Sequence, residues 1–195
     1  MAALKYIREI KDTRLLLLGI IGEGEPACYT VGTTVMDSIG NPSVGADLDD
    51  WQMSVIIYAD KLYRAKKKAL SILAYADNNS RSLSMKLARA GFDREIVGEV
   101  VDEMIALGYI REKDQLERLI LVEANQKLRG PARIIPTLTA KGYSSADIRE
   151  VMHRLVDDGE IDFKKNARLL VEKKLPDRTD VEEKKKLLYK NGFKI

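Results

Sequence analysis

Few residues in this chain could carry chemistry, and they are scattered. The single histidine, His153, stands in VMHRLV on an amphipathic helical pattern, with no Cys or His at ligand spacing beside it. It reads as a surface or boundary histidine, because a zinc site needs three or four such donors converging. The single cysteine, Cys28, falls in a strand-like stretch and is expected to be buried and inert. One cysteine makes no internal disulfide framework and fits a reducing cytoplasm. Asp49-Asp50 and Asp157-Asp158 are helix-end acids that nothing assembles into an acid/base pair. GEGEP, Gly22 to Pro26, is turn chemistry with no nucleotide-binding context, and no G-x-x-x-x-G-K-[ST] loop occurs. The expectation is a protein that is not an enzyme and uses no metal or cofactor.

Charge is the more informative chemistry. Formal net charge is only +3, but it is unevenly spread. Up to Asp60 the acids outnumber the bases. Between Lys61 and Arg89 stand Lys61, Arg64, Lys66, Lys67, Lys68, Arg81, Lys86 and Arg89, against Asp77 alone. An acidic head and a basic neck suggest a polyanionic or acidic partner for the neck; the plain alternative is a solvated helix face. Met1 to Lys11 carries charge throughout, with no apolar signal-peptide region, and LLLLGII is far too short to span a bilayer. A cytoplasmic protein without a membrane partner is expected.

These residues must be positioned by a repeat. LARAGFDREIVGEVVDEMIALGYI, Leu87 to Ile110, returns as LTAKGYSSADIREVMHRLVDDGEI, Leu138 to Ile161, with Gly91 and Gly142 standing 51 residues apart. A partial third copy, LLYKNGF, sets Gly192 and Phe193 at the end of the chain. Fixed-period self-similarity signals stacked small units. Each unit reads as three helices, in the first copy roughly Lys66 to Ala76, Ser82 to Ala90 and Asp93 to Leu107. Ser82 and Asp93 serve as N-caps, and Gly91 as the left-handed residue after the middle helix. The second middle helix opens at GPARI, with Pro131 in the first turn. Pro136 inside it predicts a bend or a later start. KKLPDRTDVEEKKK, Lys173 to Lys186, reads as a charged connection into the third copy.

Ahead of the repeats, Leu4 to Ile10, Arg14 to Ile21 and Ala27 to Val31 read as a three-stranded antiparallel unit, followed by a short helix over Thr33 to Ser38. A helix capped by Asp47 or Asp49 follows, with a break expected near Tyr58 to Arg64. The division is therefore 1–46 small β-rich unit, 47–65 linker helix, 66–110 and 111–161 three-helix repeats, and 162–195 a truncated third repeat. The fold class is mainly α: tandem three-helix repeats with a small N-terminal antiparallel β unit. One elongated monomeric body is expected.

Tandem three-helix units, RGPARI (Arg129 to Ile134) opening a middle helix, L-x-x-K-G-Y after it, and SRSLSMKLARAGF (Ser80 to Phe92) in the first copy together resemble the RecX family, bacterial regulators of the RecA recombinase. The likeness covers most of Lys66 to Phe193 and, more loosely, the first sixty residues. The family's acidic pair followed by an aromatic and a tyrosine is only half present: REKDQLERLILVEA has Glu112 and Asp114 but no aromatic. The resemblance implies a non-enzymatic protein that binds the RecA–DNA filament, damps ATP hydrolysis and strand exchange, and touches DNA alone weakly and without sequence preference. Cations suited to such a surface are Lys66, Lys67, Lys68, Arg81, Lys86 and Arg89 in the first unit and Arg129, Arg133 and Lys141 in the second. Gly130 and Pro131 read as structural.

Two other classes remain open. Ser82 to Leu107 can be read as a helix–turn–helix acting directly on DNA, although its second helix begins DREIVGEVVDE, acidic and apolar, a poor surface for a major groove. A purely scaffolding helical repeat is the third.

Overall fold

The computed structural model describes residues 2–22 and 24–194, so Glu23 of the GEGEP turn and Ile195 lie outside the described residues. Chain contacts divide it into two units. One runs to Ala76 and includes Ser84–Met104; the other comprises Asp77–Leu83 and the chain from Ile105 onward.

In the first unit, β1 (Ala2–Ile10), β2 (Leu15–Ile21) and β3 (Ala27–Gly32) form an antiparallel meander. A two-residue β4 (Asp47–Leu48) adds to β1, giving four strands in the order β3-β2-β1-β4 rather than three. α1 (Thr33–Ser38) and α2 (Asp50–Tyr75) follow. Leu4, Leu18, Ile20, Val31, Met36, Leu48 and Ile56 form the core beneath one sheet face. Alternation sends the residues between them to the other face. Cys28 is among these and is exposed, contrary to the sequence expectation; Tyr6 lies across Gly19 with its hydroxyl 3.1 Å from the Cys28 sulfur.

α2 begins at a reciprocal cap between Asp49 and Gln52 and runs unbroken, so the break near Tyr58 to Arg64 does not occur. No glycine or proline interrupts that stretch, and its backbone can keep every i to i−4 bond. α2 also covers the sheet's outer edge. The carboxylate of Asp60, 7% exposed, accepts the Thr30 N–H at 2.8 Å, occupying a donor that edge strand β3 would leave open.

The repeats follow as α3 (Ser80–Arg89), α4 (Arg94–Ala106), α5 (Glu112–Leu121), α6 (Pro131–Ala140), α7 (Ser145–Asp157), α8 (Phe163–Lys174) and α9 (Val181–Lys190). α3 starts two residues earlier than predicted because Asn79, not Ser82, is the cap: its Oδ1 accepts the Ser82 N–H at 2.8 Å. Ser144 caps α7. α6 passes through Pro136 without ending. Much of the supposed connection Lys173 to Lys186 is helical, since Asp180 caps α9 at Glu183. The α5–α6–α7 core is built from Leu116, Ile120, Ile134, Leu138, Ile148, Val151 and Leu155. Leu128, Leu170 and Phe193 form a smaller one, where Phe163 meets Phe193 edge to face, centroids 6.5 Å apart.

Candidate functional site

The glycine–aromatic corners that define the repeat share one backbone geometry. Gly91, Gly142 and Gly192 have φ of 89°, 102° and 87°, a region that favours glycine. The following N–H, from Phe92, Tyr143 and Phe193, returns to the carbonyl of Leu87, Leu138 and Leu188 respectively. That six-to-one bond closes each middle helix and turns the chain into the next element.

Within the second unit these corners build a joint that is made twice. The Asn79 side-chain amide, at the start of α3, donates to the Lys141 carbonyl at 3.0 Å, beside Gly142. The Gly130 N–H, at the start of α6, donates to the Asn191 carbonyl at 2.8 Å, beside Gly192, and Ala132 N–H adds a bond to the Gly192 carbonyl at 3.1 Å. At the second joint the carbonyls at the end of α9 accept N–H groups at the start of α6, and at the first the Lys141 carbonyl takes the side chain that caps α3. A Cβ on Gly130 would stand 2.3 Å from the Gly192 carbonyl oxygen, so the second joint requires glycine.

The predicted cations occupy distinct settings around this frame. In the first unit Lys67, Lys68 and Arg89 are exposed, and so is Lys86; Lys66 is drawn into an ion pair with Glu103 at 2.7 Å. In the second unit Arg81 lies against Gly142, near the Lys141 carbonyl, so these two candidates are brought together. Arg133 donates to the Lys190 carbonyl at 2.8 Å and thereby closes the end of α9. Arg129 bonds Glu123, which also takes Lys127 at 2.7 Å.

Glu123 was not visible as a site in the sequence. It is 2% exposed, on a π turn (Val122–Gln126) that ends α5. Burial pushes its carboxyl up, but the hydrogen bonds from Lys127 and Arg129 outweigh this and hold it below its ordinary value. The i, i+4 spacing of Glu123 and Lys127 was the available signal; the π turn that brings in Arg129 was not. His153 is exposed and pairs with Asp157 at 2.9 Å. Among the described residues no group of three or more His, Cys, Asp or Glu side chains is arranged to hold a metal ion, and no helix is long and apolar enough to cross a membrane.

No family model matches the chain. Similarity to single proteins is extensive. Regulatory protein RecX of Clostridioides difficile strain 630 is 28% identical over 150 residues, 77% of this chain and 68% of that protein. Regulatory protein RecX of Bacillus cytotoxicus is 24% identical over 153 residues, 78% of this chain but 55% of that protein. A crystal structure of regulatory protein RecX matches with a TM-score of 0.74 at 20% identity, over 100% of this chain and 95% of the other. The chain is similar to RecX proteins in sequence and shares the fold of a RecX crystal structure. RecX from Lactobacillus salivarius gives a TM-score of 0.59 at 20% identity, over 70% of this chain and 90% of that one. The chain spans little more than half the length of the Bacillus RecX proteins, though more than two thirds of the clostridial one.

Proposed function

We propose that this chain regulates the RecA recombinase, binding the RecA–DNA filament and damping its ATPase activity and strand exchange without catalysing a reaction itself. The observation that carries this reading is the match to proteins named Regulatory protein RecX over more than three quarters of the chain. The exposed cations Lys67, Lys68, Lys86 and Arg89, together with Arg81 and Lys141, supply surface charge for filament acids or DNA phosphates. Lys66, Arg129 and Arg133 are engaged as well in pairs or bonds to neighbouring elements.

Direct sequence reading by a helix–turn–helix is disfavoured. α4 buries Ile96, Val97, Val100, Val101 and Met104, and its exposed residues include Glu95, Glu99 and Asp102. A major groove would meet carboxylates.

The test is a titration of the purified chain into the cognate RecA on single-stranded DNA. ATP hydrolysis is expected to fall as the chain approaches the RecA concentration, while its binding to DNA alone stays weaker and indifferent to sequence. Flat ATPase activity at an excess of the chain, with no detectable filament binding, overturns the reading.

A further inference from the structure

Three hollows lie side by side on the second unit, all against α6. The first, about 460 Å³, is lined by Pro131, Ala132, Leu188 and the rings of Phe163 and Phe193. The second, about 320 Å³, shares Phe163 and continues along α6 to Ile135, with Met152 and Val156 of α7 opposite. Pro131 and Ile135 stand about one turn apart on one helix face, so these two hollows follow each other along α6. The third, about 690 Å³, shares Ala132 and Phe193 with the first and is walled by Pro136 and Tyr189. Pro136, which leaves α6 unbroken, thus presents its ring to solvent as part of an apolar surface.

The rims of these hollows carry one sign of charge. Lys164 and Lys194 border the first, Arg149 the second, and Arg133, Lys190 and Lys194 the third, and no Asp or Glu lines any of them. None of the five cations is ion-paired among the described residues. Arg133 and Arg149 each donate to a backbone carbonyl and keep further donors. Acids in adjoining turns are engaged elsewhere: Asp162 accepts the Lys165 N–H at 2.9 Å and caps α8, and Asp157 pairs with His153. Beyond Arg149 the surface turns acidic at Glu150 and Asp158, which bounds the basic strip on that side.

We propose that this trough docks an acidic amphipathic helix of a partner protein, its apolar side chains seated in the hollows and its carboxylates on the rim cations. Apolar residues at i and i+4 of such a helix, laid along α6, meet the first two hollows in turn, while acids beside them reach Lys164, Lys194 and Arg149. Complementary charge steers the encounter and sets the orientation, and the apolar floor supplies the affinity. Single-stranded nucleic acid has the same sign of charge but needs free ring faces for successive bases. Phe163 and Phe193 pack edge to face on each other, which leaves Tyr189, 80% exposed, as the one open ring at the trough. Four of the five cations, Arg149, Lys164, Lys190 and Lys194, lie outside the set that the RecX resemblance offers to the filament, so this is a second surface.

The probe is a fluorescent synthetic helix with leucine and phenylalanine along one face and glutamate along the other, titrated with the full chain and followed by polarisation at low and high salt. Saturable binding that weakens with salt is expected. Ala132→Glu places an acid at an exposed position in the first turn of α6, where the helix tolerates it, so the melting temperature holds while the peptide dissociation constant rises about tenfold or more. Lys164→Glu with Lys194→Glu has the same effect. Serine in place of the peptide's leucines and phenylalanines abolishes binding, and a single-stranded oligonucleotide of equal charge binds more weakly than the peptide. The proposal is overturned by a peptide that does not bind, by binding indifferent to both variants, by a serine peptide that binds as well, or by an oligonucleotide that binds more tightly and loses as much in the variants. Inhibition of RecA is read separately, so failure of the trough leaves the regulatory reading standing.

Discussion

Glu123 condenses how this chain uses charge. A carboxylate 2% exposed would be costly alone, and it persists because Lys127 and Arg129 both donate to it. Its carboxyl is held below the ordinary 4.5, so the folded state binds the proton less tightly than the unfolded chain does. The resulting stability is fully present above the ordinary value and is lost as pH falls through the lowered one. Glu123→Gln is expected to destabilise the second unit by about 2 kcal/mol at neutral pH. The gap from the parent should narrow in acid, which urea midpoints at the two pH values would register; a gap independent of pH would mean that the ion pairs contribute nothing. Arg129→Ala should cost a similar amount, since it leaves a buried carboxylate with one partner. Loss of filament binding in an Arg129 variant is therefore interpretable only beside its melting curve.

At the scale of elements, the recurring fact is a middle helix ended by glycine and planted on the start of its predecessor. Gly130→Ala puts a methyl group against the Gly192 carbonyl, backbone against backbone, where no side chain can swing aside. We expect a loss of about 3 kcal/mol or more, read from chemical denaturation. Gly98→Ala is the contrast: it lies inside α4 with nothing within 4 Å of the added carbon, and should gain about 0.5–1 kcal/mol through helix propensity. If both substitutions cost the same, the α6–α9 joint is not what Gly130 serves. Here the limits of reading the sequence become physical. The period of 51, the glycine corners and the apolar stripe of α4 were legible because each is a local pattern of residue types. The cap at Asn79 was missed because Ser82, a good capping residue, stood three positions later and only the docking of Lys141 distinguishes them. Cys28 was misplaced because alternation in a short strand fixes two faces but not which of them α2 covers. The edge-covering role of Asp60 was not legible, since its partner, the Thr30 amide, lies 30 residues away in sequence.

Over the whole molecule, the net charge of +3 hides a division of labour among cations. Some are paired at the surface: Lys61 with Asp93, Lys66 with Glu103, Arg118 with Asp77 and Arg154 with Glu117. Others are exposed without an ion pair among the described residues, notably Lys67, Lys68 and Arg89. Solvated charges contribute little to stability, so their reversal should leave the melting temperature nearly unchanged. A polyanionic partner would respond very differently, through the electrostatic part of its affinity and its dependence on salt. Lys67→Glu with Lys68→Glu and Arg89→Glu is thus expected to weaken binding to the RecA–DNA filament by about tenfold or more at low salt, with a shallower salt dependence than the parent. The ATPase titration should shift to correspondingly higher concentrations of the chain. Unchanged filament affinity in that variant would remove the basic neck from the interface and move the search to Arg81 and Lys141 of the second unit.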